Sequence, residues 1–158
     1  MATGEHTVQW RCQLAIGVLS VGILVSCATT GEQMAIKEKL LYDRLGGKPV
    51  ITAIVDDFVA RIAFDRRINH FFTNPDTTPL KAKLTDQICA ASGGPCKYTG
   101  KDMKTAHQGM DITNADFDVL VEDFSITLDK FKDNVSKKEK GELLSVLGPM
   151  RKDIVTKQ

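Results

Sequence analysis

The sequence predicts an all-α fold, and three observations support that prediction. Apolar residues recur at steps of three and four along most of the chain after residue 35, which is the spacing of one helix face. Residues that favour helix starts precede several of these runs. No stretch in the same part of the chain shows a convincing strand pattern of strict apolar–polar alternation. Residues 37–158 are therefore expected to form one helical domain.

The first two main helices each begin near a proline, which a first helical turn tolerates because the missing N–H would have no partner there. Pro49 opens the first helix, whose predicted buried face is Ile51, Ile54, Val55, Phe58 and Ile62. Pro79 opens the second helix, and Gly93 with Gly94 closes it. Its predicted buried face is Leu80, Leu84 and Ile88.

The last two main helices begin at capping motifs. Thr113 with Asp116 resembles an N-terminal cap, and Ser136 with Glu139 is a full capping box. The third helix is expected to bury Phe117, Leu120, Val121, Phe124, Leu128 and Phe131. The fourth is expected to bury Leu143, Leu144, Leu147 and Ile154. Pro149 lies inside this fourth helix and should bend it near its middle.

One histidine stands in a segment that is predicted to form a short helix of two or three turns. Met103 lies four residues before His107 and Met110 three after it, so both are expected on the same face. Imidazole flanked by apolar side chains suits an axial haem ligand, since it offers one nitrogen donor and a wall that excludes water. From spacing alone, the favoured alternative is a core histidine that is hydrogen-bonded to a carbonyl.

The composition argues against several classes of function. The chain has 21 basic and 20 acidic residues, and this formal net charge of +1 argues against nucleic acid as a partner. No phosphate-cradling glycine loop of the Walker or dinucleotide type is present. After residue 26 the only histidines are His70 and His107, so no catalytic Ser/His/Asp set can be argued.

The N-terminal segment is predicted to be a signal peptide over residues 1–26. Its apolar run from Leu14 to Val25 is shorter than the roughly 20 residues that span a bilayer. The run ends in Leu24-Val25-Ser26-Cys27, which resembles a bacterial lipobox whose cysteine is acylated. Residues 27–36 then form a polar tether, and the protein is lipid-anchored in the cell envelope, facing the periplasm. The alternatives are an ordinary cleavage site and a short uncleaved anchor.

Two cysteines remain in the domain. Cys89 and Cys96 flank Gly93-Gly94-Pro95, and in an exported protein such a pair can oxidise if the Cα atoms come within about 7 Å. The alternative is two free thiols, one of them buried on a helix. A zinc site is not expected, because two cysteines lack the second half of a ligand set.

Several short segments of the domain resemble one protein family in their order and spacing. They are Leu41–Gly47, Asp56–Phe58, Ile68–Phe72, Leu80–Leu84, Gly93–Pro95, Tyr98–Gly100 and Met103–Gly109. Together they resemble the group I truncated haemoglobins, the small two-over-two globins, over roughly residues 40 to 155. The resemblance implies the truncated two-over-two globin fold, haem b as the cofactor and His107 as the proximal iron ligand.

The resemblance also implies a set of residues around the haem. Phe72 should pack on the porphyrin, Lys83 suits a propionate partner, and Lys104 is a weaker candidate for that role. Met103 and Met110 are expected in the pocket wall. For Phe72 and the methionines the alternative is plain core packing, and for Lys83 it is a solvated surface position.

The distal side departs from the family pattern. Many group I members place a tyrosine directly after the phenylalanine that matches Phe58, and its hydroxyl hydrogen-bonds the gas ligand; here that position is Val59. Glutamine often occupies a distal-helix position, and here those positions are Leu80 and Leu84. Thr85 and Gln87 are the nearest polar residues on that helix. The distal surface is therefore expected to be mostly apolar, which disfavours efficient oxygen storage.

The expected function is reversible binding of a diatomic gas, namely oxygen, nitric oxide or carbon monoxide. One alternative is a periplasmic redox or nitric oxide detoxification haem protein, such as a dioxygenase, which needs a reductase or other electron donor as partner. Another is a haem-free lipoprotein that handles copper(I) through soft ligands: Met103, His107, Met110 and the two thiols. A third is an interaction lipoprotein that keeps the globin fold without haem.

Overall fold

The structure is a computed structural model, and it describes residues 38–157. The predicted signal peptide, the tether and Cys27 lie outside the described residues. Residues 37–158 group into one compact unit. The predicted all-α class is confirmed, because the described residues form helices and no strand.

Residues 38–157 form seven α-helices and two short 3₁₀ helices. The α-helices are α1 (Leu41–Arg44), α2 (Gly47–Phe64), α3 (Thr78–Ala91), α4 (Met103–His107), α5 (Asn114–Lys130), α6 (Lys137–Leu147) and α7 (Arg151–Ile154). The 3₁₀ helices are Asn69–Phe71 and Gly148–Met150. The four main helices of the sequence analysis correspond to α2, α3, α5 and α6.

The main core lies where α2 meets α3 and α5. All five residues predicted for the buried face of α2 are buried, and the Phe58 ring meets the Phe124 ring edge-on at 5.0 Å between centroids. Leu45, Ile88 and Leu143 complete this core from neighbouring elements. Seven residues predicted as buried are only partly so: Leu80, Leu84, Leu120, Val121, Phe131, Leu144 and Leu147. They lie at the margins of the two apolar clusters.

A second, smaller apolar cluster joins the start of α5 to α7. Its buried members are Ile112, Phe117 and Ile154. The partly buried residues that pack against it are Phe71, Met103, Met110, Val121, Met150 and Val155. Because α4 contacts α7, this cluster is the part of the fold nearest to the helix that carries His107.

The predicted caps are present in the structure. Thr113 and Asp116 form a reciprocal capping box at the start of α5, and Ser136 and Glu139 form another at the start of α6. Near Pro149 the predicted bend takes the form of a break: α6 ends at Leu147, the 3₁₀ turn follows, and α7 resumes. A proline cannot donate to the helical ladder, so the break falls where a backbone N–H is missing.

The helix around His107 is shorter than predicted, with five residues instead of two or three turns. Gln108 leaves the helical region with ψ 129°, and both Gly109 (φ 77°) and Asp111 (φ 54°) adopt left-handed backbone conformations. A right-handed helix cannot continue through such residues. Met110 therefore lies beyond the end of α4 and not on its face.

The structure joins Cys89 and Cys96 by a disulfide, with 5.7 Å between their Cα atoms. This is the pairing that the sequence analysis predicts. It ties the end of α3 to the loop that leads to α4. Within residues 38–157, no helix is both long and apolar enough to cross a membrane.

Candidate functional site

A small cavity lies beside His107, between the second apolar cluster and the 3₁₀ turn at residues 69–71. It encloses about 60 Å³. Its lining is almost entirely apolar: Ile68, Phe71, Phe72, Met110, Ile112, Phe117, Leu120 and Ile154, with Asp116 and His107 as the two titratable members. The cavity thus brings together three residues that sequence analysis assigned to the pocket, namely Phe72, His107 and Met110.

The imidazole of His107 is held through one of its two nitrogens. Nδ1 lies 2.8 Å from the carbonyl oxygen of Met103, one helical turn earlier. A carbonyl oxygen can only accept, so Nδ1 donates, and in the neutral imidazole the lone pair is then on Nε2. Nε2 has no hydrogen-bond partner among the described residues. The alternative of a carbonyl-bonded histidine and the ligand role are therefore compatible, since each uses a different nitrogen.

Asp116 is the charged residue of the cavity, and sequence analysis assigned it only to a helix cap. Its carboxylate accepts from the Thr113 hydroxyl at 2.6 Å and from the Thr113 backbone N–H at 2.9 Å. These two bonds hold the pKa of Asp116 below its usual value, and the nearby His70 acts in the same direction. The cap motif shows that Asp116 is ordered but gives no sign that its side chain borders a cavity.

The other lining residues that sequence analysis missed have apolar side chains. Phe117, Leu120 and Ile154 were predicted as core residues, and Ile68 and Phe71 belong to one of the segments that carry the resemblance. Ile112 was not singled out. Helical periodicity predicts that such residues face inward, but it does not show which of them border an empty space.

The predicted distal residues lie elsewhere, in the main core. Phe58 and Val59 are buried, and Leu80 and Leu84 pack against the same cluster. None of the four lines the cavity beside His107. They form an apolar layer made by α2 and α3, and none of their side chains offers a hydrogen-bond donor.

The two lysines predicted near the propionates lie at the surface. Lys83 is exposed, and its Nζ donates to Thr99 Oγ1 at 3.0 Å, which links α3 to the loop before α4. Lys104 is exposed on α4 and forms no ion pair with residues 38–157. Both amino groups are therefore free of carboxylate partners in the described part of the chain.

Sequence analysis named Thr85 and Gln87 as the polar residues of α3 nearest to the distal positions. In the structure, Gln87 is in contact with two sulfur atoms and Thr85 is buried. Gln87 Nε2 lies 3.3 Å from Met103 Sδ and 3.3 Å from Met150 Sδ. Thr85 is buried, with 5% of its surface exposed. Met103 itself packs against the second cluster and does not line the cavity.

A larger open concavity of about 490 Å³ lies between α2 and α5, away from His107. Its lining mixes three carboxylates with three cations and contains no histidine. Burial raises the pKa of Asp123 there, and Arg61 Nη1 is 3.8 Å from its carboxylate. This surface offers no axial base, so the cavity beside His107 is the better candidate site.

The chemistry of the smaller cavity fits a haem. In its neutral form His107 offers one imidazole nitrogen with a free lone pair, the cavity has apolar and aromatic walls, and Lys104 lies on the same helix as His107.

Comparison with known proteins identifies the family. The bacterial-like globin family matches residues 40–156. The group 1 truncated haemoglobin of Mycolicibacterium paratuberculosis is 41% identical over 73 residues, which are 46% of this chain and 54% of that protein. That of Tetrahymena pyriformis is 37% identical over 78 residues, or 49% of this chain and 64% of that protein. The aligned segments thus span between half and two thirds of these relatives.

Solved structures match over a longer part of the chain. The truncated haemoglobin of Tetrahymena pyriformis in its Fe(III) form has a TM-score of 0.70 and 33% identity, covering 74% of this chain and 98% of that chain. The 2/2 haemoglobin of a Synechococcus species, with covalently attached haem, has a TM-score of 0.69 and 30% identity, covering 75% and 100%. The chain belongs to the bacterial-like globin family, as a group 1 truncated haemoglobin with a two-over-two fold and haem as its cofactor.

Proposed function

We propose that this domain holds haem iron through Nε2 of His107 and reversibly binds a diatomic gas, with oxygen, nitric oxide and carbon monoxide as the candidates. The observation that supports this most directly is the commitment of His107 Nδ1 to the Met103 carbonyl at 2.8 Å. That bond fixes the ring tautomer and its orientation, and it makes Nε2 more basic. An imidazole held in this way beside an apolar cavity is prepared to ligate a metal.

Haem bound here would supply an iron that can take a diatomic gas. The chain's own residues provide the surroundings. Phe72 and Met110 exclude water from the side of His107, because they contribute apolar walls to its cavity. Lys83 and Lys104 are exposed cations near α3 and α4, so they are suited to pair with the propionate carboxylates.

The distal residues favour a protein that binds diatomic gases without a particular preference for oxygen. Val59, Leu80 and Leu84 carry no N–H or O–H group, and the amide of Gln87 is engaged with two sulfur atoms. Carbon monoxide and nitric oxide depend less than oxygen on a hydrogen-bond donor. Nitric oxide dioxygenation would need bound oxygen and an electron donor as a further partner, so gas binding is the simpler proposal.

A copper-handling role without haem receives no support from the described residues. The Cys89–Cys96 disulfide withdraws the two thiols that a copper(I) site would use. Among residues 38–157, no group of three or more His, Cys, Asp or Glu side chains is placed to hold a metal ion. The Met103 sulfur also lies 3.3 Å from Gln87 Nε2, with which it is already in contact.

The proposal extends to location. The lipobox-like Leu24-Val25-Ser26-Cys27 supports a lipid anchor on Cys27 and a globin domain that faces the periplasm. The residues concerned lie outside those that the structure describes, so this part of the proposal depends on sequence alone. The membrane would then be a partner of the protein only through the N-terminal lipid.

Substitution of the proximal histidine tests the function. His107→Ala should abolish stable haem incorporation, and added imidazole should restore it by replacing the missing ligand. Haem content and the Soret absorption of purified protein measure the result. His70→Ala is the matched control, because His70 is an exposed histidine outside the cavity lining. A His107→Ala protein with unchanged haem content and Soret band would refute the assignment.

A further inference from the structure

Gln87 connects three elements of the domain through one amide group. It lies on α3, and its Nε2 is 3.3 Å from Met103 Sδ at the start of α4 and 3.3 Å from Met150 Sδ at the end of the 3₁₀ turn. A primary amide has two N–H donors, which is the number needed for two acceptors. Thioether sulfur is a weak acceptor, so the two contacts act mainly by fixing positions.

Met103 is in turn the residue that orients His107. Its carbonyl accepts from His107 Nδ1 at 2.8 Å, while its side chain meets Gln87. One residue therefore contacts the imidazole by its main chain and α3 by its side chain. A shift of Met103 relative to α3 would carry the carbonyl, and with it the imidazole ring, in the same direction.

The short helix α4 holds its position through contacts with α7 and through the Met103 side chain, which packs on the second apolar cluster and meets Gln87. It contains five residues, and none of them is buried. Its N-cap, Asp102, accepts from the Thr105 backbone N–H at 2.9 Å, which stabilises the turn but does not attach it to the rest of the domain. An isolated helix of this length is not stable in water. Contacts such as those of Met103 must therefore fix where α4 lies.

We propose that Gln87 is a positioning residue for the proximal histidine, acting through Met103. The amide fixes the position of Met103 relative to α3 and to the 3₁₀ turn at Gly148–Met150. The Met103 carbonyl then fixes the position and the rotation of the His107 imidazole. The inference rests on the proposed function, in which Nε2 ligates the iron. It assigns to Gln87 a role on the His107 side, instead of the hydrogen bond to the gas ligand that its place on α3 would suggest.

Two near-isosteric substitutions and their combination test this role. Gln87→Leu removes the donors, and Met103→Leu removes the sulfur acceptor while it keeps the carbonyl that binds His107. The readout is the iron–histidine stretching band of the ferrous haem protein in resonance Raman spectra, together with the rate of haem loss. Both single variants should shift or broaden this band, and haem loss should be faster by about 10-fold or more, the usual scale for outer-shell partners of a ligand.

The double variant shows whether the two residues act as one unit. If Gln87 acts through Met103, the double variant should resemble either single variant, because the second substitution removes nothing further. Lys81→Met is the matched control, since it removes a polar contact of the same helix with Asp56 on α2 instead. It should leave the iron–histidine band unchanged even if it lowers stability.

Several results would overturn the inference. One is a Gln87→Leu protein with the wild-type band and rate of haem loss; another is an equal shift in Lys81→Met; a third is strictly additive effects in the double variant. Each of these leaves the proposed function intact, provided that wild-type protein shows an iron–histidine band that His107→Ala removes. Absence of that band from the wild type would contradict the proposed function, and the inference with it.

Discussion

Val59 is the residue whose chemistry bears most on the choice of gas. Its side chain is 2% exposed and offers no donor. On the neighbouring helix α3, the amide of Gln87 lies against two sulfur atoms and is therefore engaged. Bound oxygen carries partial negative charge, and a charge-assisted hydrogen bond to it is worth about 1.5–3 kcal/mol. Without that bond, oxygen should dissociate fast.

Val59→Tyr should slow oxygen dissociation, because it places a hydroxyl where the family often has one. A bond of about 1.5–3 kcal/mol corresponds to a factor of roughly 10 to 100 in the rate. Stopped-flow measurement of the oxygen off-rate tests this, and the Fe–CO stretch reports the polarity of the surroundings. The wild type should give the stretch of a nonpolar pocket, and the tyrosine variant should shift it.

Val59→Phe separates the hydroxyl from the size of the new ring. Both variants overpack a buried position, which typically costs about 1–3 kcal/mol of stability. Only the tyrosine should retain oxygen longer. A slow oxygen off-rate in the wild type, together with a vibrational signature of strong hydrogen bonding, would show that Gln87, Thr85 or a water supplies a donor to the ligand.

At the scale of single residues, the sequence shows which residues are candidates for a role, but not which other residues they contact. The segment that contains His107 is enough to propose it as the iron ligand. The spacing alone favoured a histidine that is hydrogen-bonded to a carbonyl, and the bond of Nδ1 to the Met103 carbonyl is of that kind. The spacing did not show that this bond leaves the other ring nitrogen available to a metal. The contact of Gln87 with Met103 and Met150 joins residues 16 and 63 positions apart. No local pattern encodes such a contact, since it depends on how three elements come together.

At the scale of elements, the four main helices and their caps could be predicted, whereas the residue at which α4 ends could not. Capping boxes and apolar periodicity are local properties, so Thr113–Asp116 and Ser136–Glu139 identify helix starts directly. The end of α4 depends on the left-handed backbone at Gly109 and Asp111. Glycine permits that conformation without requiring it, and aspartate adopts it only when its surroundings favour it.

The disulfide is the covalent link between two functional elements, because it joins α3 to the loop before α4. Cys89 is fully buried, so an unpaired thiol there would pack as a small apolar side chain. The bridged cysteines are 7 residues apart, and a loop of that size contributes on the order of 2 kcal/mol through the unfolded chain. We predict that Cys89 and Cys96 are oxidised in exported protein.

Mass spectrometry of non-reduced peptides should find Cys89 and Cys96 in one linked species. Urea unfolding should show that Cys89→Ala/Cys96→Ala lowers the free energy of unfolding by about 2 kcal/mol. The same double variant in reducing buffer is the control, because reductant should destabilise the wild type and leave the variant unchanged. Two alkylatable thiols in native periplasmic material would contradict the prediction.

At the scale of the whole molecule, the fold could be predicted because the segments that resemble truncated haemoglobins occur in the family order. The match of the family to residues 40–156 agrees with the predicted extent of roughly residues 40 to 155. The shape of the cavity could not be predicted. Its walls come from four separate elements, and Asp116 and Ile112 reach it only through the path of the chain between α4 and α5.

The location of the whole molecule depends on Cys27. A cysteine directly after Leu24-Val25-Ser26 supports acylation and cleavage before residue 27. Each buried methylene contributes about 0.8 kcal/mol to membrane binding, so one acyl chain anchors only weakly, whereas two or more give stable attachment. The polar residues from Ala28 to Ala35 would then separate the globin domain from the membrane surface.

We predict that Cys27→Ser changes where the protein is found. The hydroxyl cannot take the thioether-linked lipid, so the variant should accumulate unprocessed or leave the membrane fraction. Fractionation of cells and mass spectrometry of the N-terminus measure both outcomes. Cys12→Ser is the matched control, because Cys12 precedes the apolar run and should not affect processing. Haem content should be equal in all three proteins, since residues 40–156 carry the globin domain. A soluble wild type, with an unmodified N-terminus upstream of Cys27, would refute the lipid anchor and leave the haem assignment untouched.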